Sequence, residues 1–147
     1  MRVSKLFTYL SSFIFISMFV GCNGKKGDDL TVHWDRDMCA RCDMVISDRH
    51  NTVQVINPQT NKKYVFDDIG CMAVWFGKNK PVWQKSAKIW TTDAKTGEWI
   101  KAREAFYDNG NVTPMGYGYS SFKSRDEIPK GKKIFSYNEV IQNILKN

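Results

Sequence analysis

Sulfur is concentrated in three short stretches of this 147-residue chain. Met38-Cys39-Ala40-Arg41-Cys42-Asp43-Met44 sets a CxxC pair between two thioethers, Gly70-Cys71-Met72 adds a third thiol, and Pro114-Met115-Gly116 sets a methionine in a Gly- and Tyr-rich segment. Three chemistries use such residues. A dithiol redox pair works best at a strand-to-helix junction, where a helix N-terminus lowers a thiol pKa; Cys39 and Cys42 instead precede strand-like sequence. Structural zinc wants four ligands, such as a second CxxC or paired histidines, and the chain offers only Cys71 and two isolated histidines, His33 and His50. Thioether beside thiolate selects the soft ion Cu(I) over zinc, calcium or magnesium. Copper is the sharpest of the three readings, and all three stay open at this point.

Ordinary packing roles compete with the chemical ones. Met38 and Met72 lie in half-apolar segments and read as core filler. Cys71, beside Met72, reads as a small buried hydrophobe rather than a ligand, and His33 and His50 read as surface residues. Met115 stands apart, because Pro114 and Gly116 leave its side chain little core to join.

Those residues need elements to carry them. Val45-Ile46-Ser47, Thr52–Ile56 and Tyr64–Phe66 are β-branched or aromatic runs, the last two joined by a five-residue loop, Asn57–Asn61. Ile69, Met72, Ala73 and Phe76 recur at helical spacing, with Asp67 or Asp68 as N-cap and Gly77 as the stop. Lys88–Thr92 reads as a strand, Glu98–Tyr107 as a short helix or irregular segment, and Asp108–Asn111 as a turn. The order then repeats in brief: a strand pair over Met115–Phe122, a capped turn at Ser124–Ile128, a strand at Lys133–Tyr137 and a closing helix, Tyr137–Leu145. The fold class is therefore α+β, as two small units of about 35–110 and 111–147 sharing one core. On a strand, Cys42 and Met44 would point the same way, so both sulfurs could face one ion.

Composition sets the wider frame. With 42% hydrophobic, 25% charged and 14% aromatic residues the chain is globular rather than disordered or collagenous. Four cysteines are too few for a disulfide scaffold. Residues 1–5 are basic and 6–20 are apolar and uncharged, a secretory leader too short for an ordinary transmembrane helix. Phe19-Val20-Gly21-Cys22 resembles a bacterial lipobox, so cleavage after Gly21 and acylation of Cys22 are expected, with residues 22–34 as a tether. That puts the domain on a bacterial membrane through acyl lipid, facing the periplasm, or the exterior in a single-membrane host. Loss of Arg2 and Lys5 brings the net charge from +7 to +5. The remaining cations are scattered, which together with export excludes nucleic acid as a partner.

Taken together, Cys22, the Cys39–Met44 block, Phe66-Asp67-Asp68-Ile69-Gly70-Cys71-Met72 and Pro114-Met115-Gly116 leading to Phe122 resemble the nitrous-oxide-reductase accessory lipoproteins, the NosL-like family. The resemblance implies two related ββαβ units, similar to part of organomercurial lyase. It also implies a non-enzymatic Cu(I) chaperone that serves a copper enzyme, nitrous oxide reductase, or its membrane maturation transporter. Cys42 and Met44 match the family's Cys-Gly-Met ligands and Met115 the methionine of the second unit, with Cys39 and His50 as further candidates. Asp43 departs from the family's glycine. The alternative is a thiol enzyme, an oxidoreductase or a lyase-like relative, using Cys39, Cys42 and Cys71; a third reading is a structural lipoprotein.

Overall fold

The computed structural model describes residues 27–146; the expected leader and lipidation site, Cys22, lie outside the described residues. β-Branched and aromatic residues make up most of the strands. β1 (Val53–Ile56) and β2 (Lys63–Phe66) form an antiparallel hairpin in the register Val53↔Phe66 to Ile56↔Lys63. Asn57 starts its loop by accepting the Gln59 N–H at 2.9 Å, and Asn61 ends it in the left-handed region at φ 56°, a conformation asparagine tolerates well. β3 (Lys88–Thr92) pairs with the other edge of β1, and β4 (Trp99–Lys101) pairs with β3, so the sheet runs β2-β1-β3-β4. Strand parity sends Val53, Val55, Phe66, Ile89 and Ile100 into the core, where they meet Ile69, Met72, Ala73 and Phe76. Across the opposite face runs the segment after Gly27, tied down by Gln54 Nε2 on the Asp29 carbonyl (2.6 Å), Lys63 on Asp29 and Trp90 on Asp28.

Helix α1 (Ile69–Asn79) begins where Asp68 caps it, accepting the Cys71 N–H at 2.9 Å. It does not stop at Gly77. It continues to a left-handed Lys80 at φ 42°, because Gly77 serves close packing instead. A Cβ there would lie 3.0 Å from Leu145 of α2 (Tyr137–Lys146), the helix that α1 packs against.

The Glu98–Tyr107 stretch holds no helix. It supplies β4, a turn closed by Lys101 O, and β5 (Phe106–Asp108), which pairs with β6 (Ser120–Phe122) as Phe106↔Phe122 and Asp108↔Ser120. Such three-residue strands carry too little periodicity to declare themselves and exist through their pairing partners. Residues 115–119, read as part of a strand pair, form a turn with Gly116 and Gly118 at positive φ. Two other strand candidates shrink to single bridges, Met38↔Val45 and Tyr107↔Phe135. The second half thus runs β5, β6, a 3-10 turn (Arg125–Glu127) with a Ser124/Glu127 capping box, the Phe135 bridge and α2, a ββαβ order in abbreviated form. Ser121 docks it on the main sheet through Thr91 Oγ1 (3.0 Å) and Thr92 O (2.7 Å). No helix among the described residues is long and apolar enough to cross a membrane.

Candidate metal centre

The CxxC pair sits in a tight turn, not on a strand. Cys39 N–H donates to Met44 O (2.8 Å) and Asp43 N–H to Cys39 O (3.0 Å), while Ala40 N–H on Val65 O (2.8 Å) pins the turn to β2. Closing it requires the left-handed region at Asp43, φ 59°. Glycine enters that region freely and aspartate is among the few other residues that tolerate it. The carboxylate at position 43 thus meets the same backbone demand as a glycine. Because the chain turns here, strand parity does not govern Cys42 and Met44. Met44 is 48% exposed, whereas Cys42 is half-buried.

The partners of this turn come from the β2–α1 junction. β2 ends at Phe66, Asp67 follows it, Asp68 caps α1, and Cys71 occupies the first helical turn, so this junction faces the Cys39–Cys42 turn. Cys42 Sγ donates to Asp67 Oδ2 at 3.0 Å and lies 4.0 Å from Cys71 Sγ, and Arg41 Nη1 donates to Cys71 Sγ at 3.6 Å. The ligand atoms of Cys39, Cys42, Asp67 and Cys71 all lie within 4.8 Å of one another. All three cysteines are free thiols, and Cys39 and Cys71 are fully buried.

The cluster is electrostatically divided. Cys39 is pushed down to about 4, foremost by the Cys71 thiol beside it and then by the backbone N–H groups of Cys42 and Arg41, against the cost of burial. Cys71 is pushed up by that same Cys39 anion and by burial. Burial, reinforced by the hydrogen bond to Asp67, lifts Cys42 to about 12. Burial also lifts Asp67 to about 6, opposed by the Cys42 thiol hydrogen and aided by the Cys39 charge. One thiolate and two thiols describe the centre at neutral pH.

Met115 reaches the same place from the second half. Its backbone N–H donates to Asp68 Oδ2 at 3.2 Å, so one carboxylate caps α1 and holds the 113–118 turn. A cleft of about 610 Å³ opens between Arg41, Cys42, Trp75, Lys78 and Met115. Tyr117 lies directly on Gly70, where any Cβ would fall 2.0 Å from its ring, and the Arg41 guanidinium sits 5.9 Å from the Tyr117 ring centre.

Of the residues proposed from sequence, Cys39 and Cys42 fall inside the cluster and Met115 shares the cleft with Cys42. Met44 does not line that cleft. His50 stands elsewhere, with Nδ1 3.1 Å from Ala94 O and its ring against Gly97. Two members, Cys71 and Asp67, were not among the expected ligands. The available signal was the sequence Asp67-Asp68-Ile69-Gly70-Cys71 at a strand-to-helix junction, which brings a carboxylate and a thiol to the same end of α1. Met72 is fully buried as expected of core, but Met38 is half exposed because it pairs with exposed Val45 on the outer side of the turn. Three soft sulfur donors suit a monovalent soft ion; three sulfurs with one carboxylate also suit tetrahedral zinc.

No protein-family model matches the chain, and no curated protein sequence matches it. A solved structure does: the crystal structure of the copper chaperone NosL from Shewanella denitrificans superposes with a TM-score of 0.65 at 16% sequence identity, over 78% of this chain and 96% of that one. In fold, this chain is NosL-like.

Proposed function

We propose that this chain is a non-catalytic, extracytoplasmic Cu(I) carrier, anchored to a bacterial membrane by acylated Cys22, that supplies a copper enzyme during its maturation. Nitrous oxide reductase, or the membrane transporter that serves its maturation, is the client this reading names. The single observation that carries it is the convergence of Cys39, Cys42 and Cys71, with Cys42 lining a cleft that it shares with Met115. Likeness in fold to a copper chaperone supports it. In this reading the three thiols take up Cu(I), and Met115 is the exchangeable donor at the rim. Met44, half exposed on the same turn, meets the ion in transit. A cleft-side cysteine and thioether let a recipient's ligands replace the protein's one at a time, which suits delivery better than retention.

Anaerobic titration of the reduced full chain, purified in detergent, with Cu(I) against a chromophoric competitor tests this. One tightly held equivalent is expected, weakened on the order of 100-fold by Cys42→Ser or Cys71→Ser and about tenfold by Met115→Leu. Equal binding by all the variants would refute the site, and no binding by the parent chain would refute the function. Release of a Cys22→Ser variant from the membrane fraction tests the anchor, and the copper content of nitrous oxide reductase in cells lacking the chain tests the client.

Asp67 favours a second reading. As a fourth donor within 4.8 Å of three sulfurs it completes a Cys3Asp set fit for zinc. Zinc displacing Cu(I) stoichiometrically at equal concentration would establish that reading instead.

A further inference from the structure

We propose that Arg41 is a charge discriminator, tilting the sulfur cluster towards monovalent soft ions and away from divalent ones; the inference rests on reading the cluster as a site for metal cargo. Four donors that can each carry a negative charge converge at Cys39, Cys42, Cys71 and Asp67. By itself that set favours a divalent ion. The cation beside it is Arg41, whose Nη1 lies 3.6 Å from Cys71 Sγ. Among the described residues Arg41 pairs with no carboxylate. Its guanidinium sits 5.9 Å from the Tyr117 ring centre, and Tyr117 is seated on Gly70, so the charge is stacked in place beside the sulfurs.

An ion bonded to Cys71 at an ordinary metal–sulfur length of about 2.3 Å lies no more than about 6 Å from Arg41 Nη1, given the 3.6 Å contact. Two effects of Arg41 then separate. Its attraction for the thiolates helps any bound metal equally. Its repulsion of the ion grows with the ion's charge, so a divalent ion is penalised twice as much as a monovalent one. The difference is one unit of charge at about 6 Å, on the order of 100-fold in relative affinity at the effective dielectric usual for protein sites and about tenfold with the screening an exposed guanidinium receives.

The test uses the full chain, reduced, in detergent and without oxygen. Cu(I) and Zn(II) affinities are measured against separate chromophoric chelators for the parent, Arg41→Gln and Arg41→Lys. The Cu(I)-to-Zn(II) affinity ratio is expected to fall about tenfold in Arg41→Gln and to stay within threefold of the parent in Arg41→Lys. Raising NaCl should lower the ratio in the parent and leave it unchanged in Arg41→Gln, a comparison that also works on the unmutated protein. An unchanged ratio in Arg41→Gln, or an equal fall in Arg41→Lys, overturns the proposal. Ag(I) and Cd(II) titrations keep it separable from the copper reading. A parent chain that refuses Cu(I) but shows the same shift between Ag(I) and Cd(II) loses the proposed function and keeps the discriminator.

Discussion

Gly70→Ala offers a test in which helix propensity and tertiary packing predict opposite signs. Gly70 is the second residue of α1, where alanine should stabilise by about 1 kcal/mol on propensity alone. The added Cβ, however, would lie 2.0 Å from Tyr117 Cγ, 2.1 Å from Cδ2 and 2.7 Å from Cβ. Carbon atoms rest at about 3.5–4.0 Å, so the ring must retreat by about 1.5 Å. The clash with the Tyr117 Cβ means that ring rotation alone cannot relieve it. The 113–118 turn has to shift, against Gly118 N–H on Thr113 Oγ1 (3.1 Å), Gly116 N–H on Thr113 O (3.0 Å) and Met115 N–H on Asp68 (3.2 Å). Overpacking costs about 1–3 kcal/mol and a lost hydrogen bond about 1 kcal/mol. Set against the propensity gain, the net destabilisation is about 1–3 kcal/mol, or roughly 4–12 °C in Tm for a domain this size. Because the turn carries Met115 and the stacking partner of Arg41, Cu(I) affinity should also drop about tenfold. Thermal unfolding followed by circular dichroism, with the copper competition in parallel, reads both. Adding Tyr117→Ala should recover at least about 1 kcal/mol beyond additivity. A Gly70→Ala chain with a higher Tm than the parent would refute the packing argument.

Other consequences are simpler to check. With Cys39 held near 4, Cys42 lifted to about 12 and Cys71 lifted by the Cys39 anion, metal binding to all three sulfurs at neutral pH should release about two protons. Indicator-dye titration in weak buffer counts them; release of three would show that Cys39 starts as a thiol. Asp93 is buried and accepts Lys95 N–H (2.9 Å), Thr96 N–H (2.9 Å) and Lys123 N–H (2.8 Å), bonds that lower its pKa despite the opposing cost of burial. Asp93→Ala should therefore cost about 2–4 kcal/mol at pH 7. The difference should be full above the unfolded carboxyl value near 3.8 and fade as pH falls through the lowered folded value; a pH-independent gap in denaturant midpoints would contradict this. Lys80→Gly, at φ 42°, should stabilise the end of α1 by about 0.5–1 kcal/mol, and a fall in Tm would show that the lysine side chain matters more than its backbone strain.

Much of the fold was legible because its signals are local. The Lys88–Thr92 strand, an aspartate cap at 67 or 68 and the closing helix follow from runs, caps and periodicity that depend on a residue and its near neighbours. Gly77 misled because a glycine near a helix end has two uses, and only the approach of Leu145 shows that close packing is the one in force. β4 and β5 were illegible because three residues cannot display a period, and their β3 and β6 partners lie elsewhere in the chain.

The site divides along the same line. Residue types alone singled out sulfur as the candidate chemistry, and the family resemblance pointed to Cys42 and Met115 as candidate ligands for a soft ion. They could not decide whether Cys71 was a packing residue or a ligand, since the same small buried thiol serves for both. Only the tertiary structure settled its neighbours, because the 4.0 Å between Cys42 and Cys71 spans 29 residues of chain. Where β2 ends and where α1 starts set that distance; no spacing along the sequence contains it.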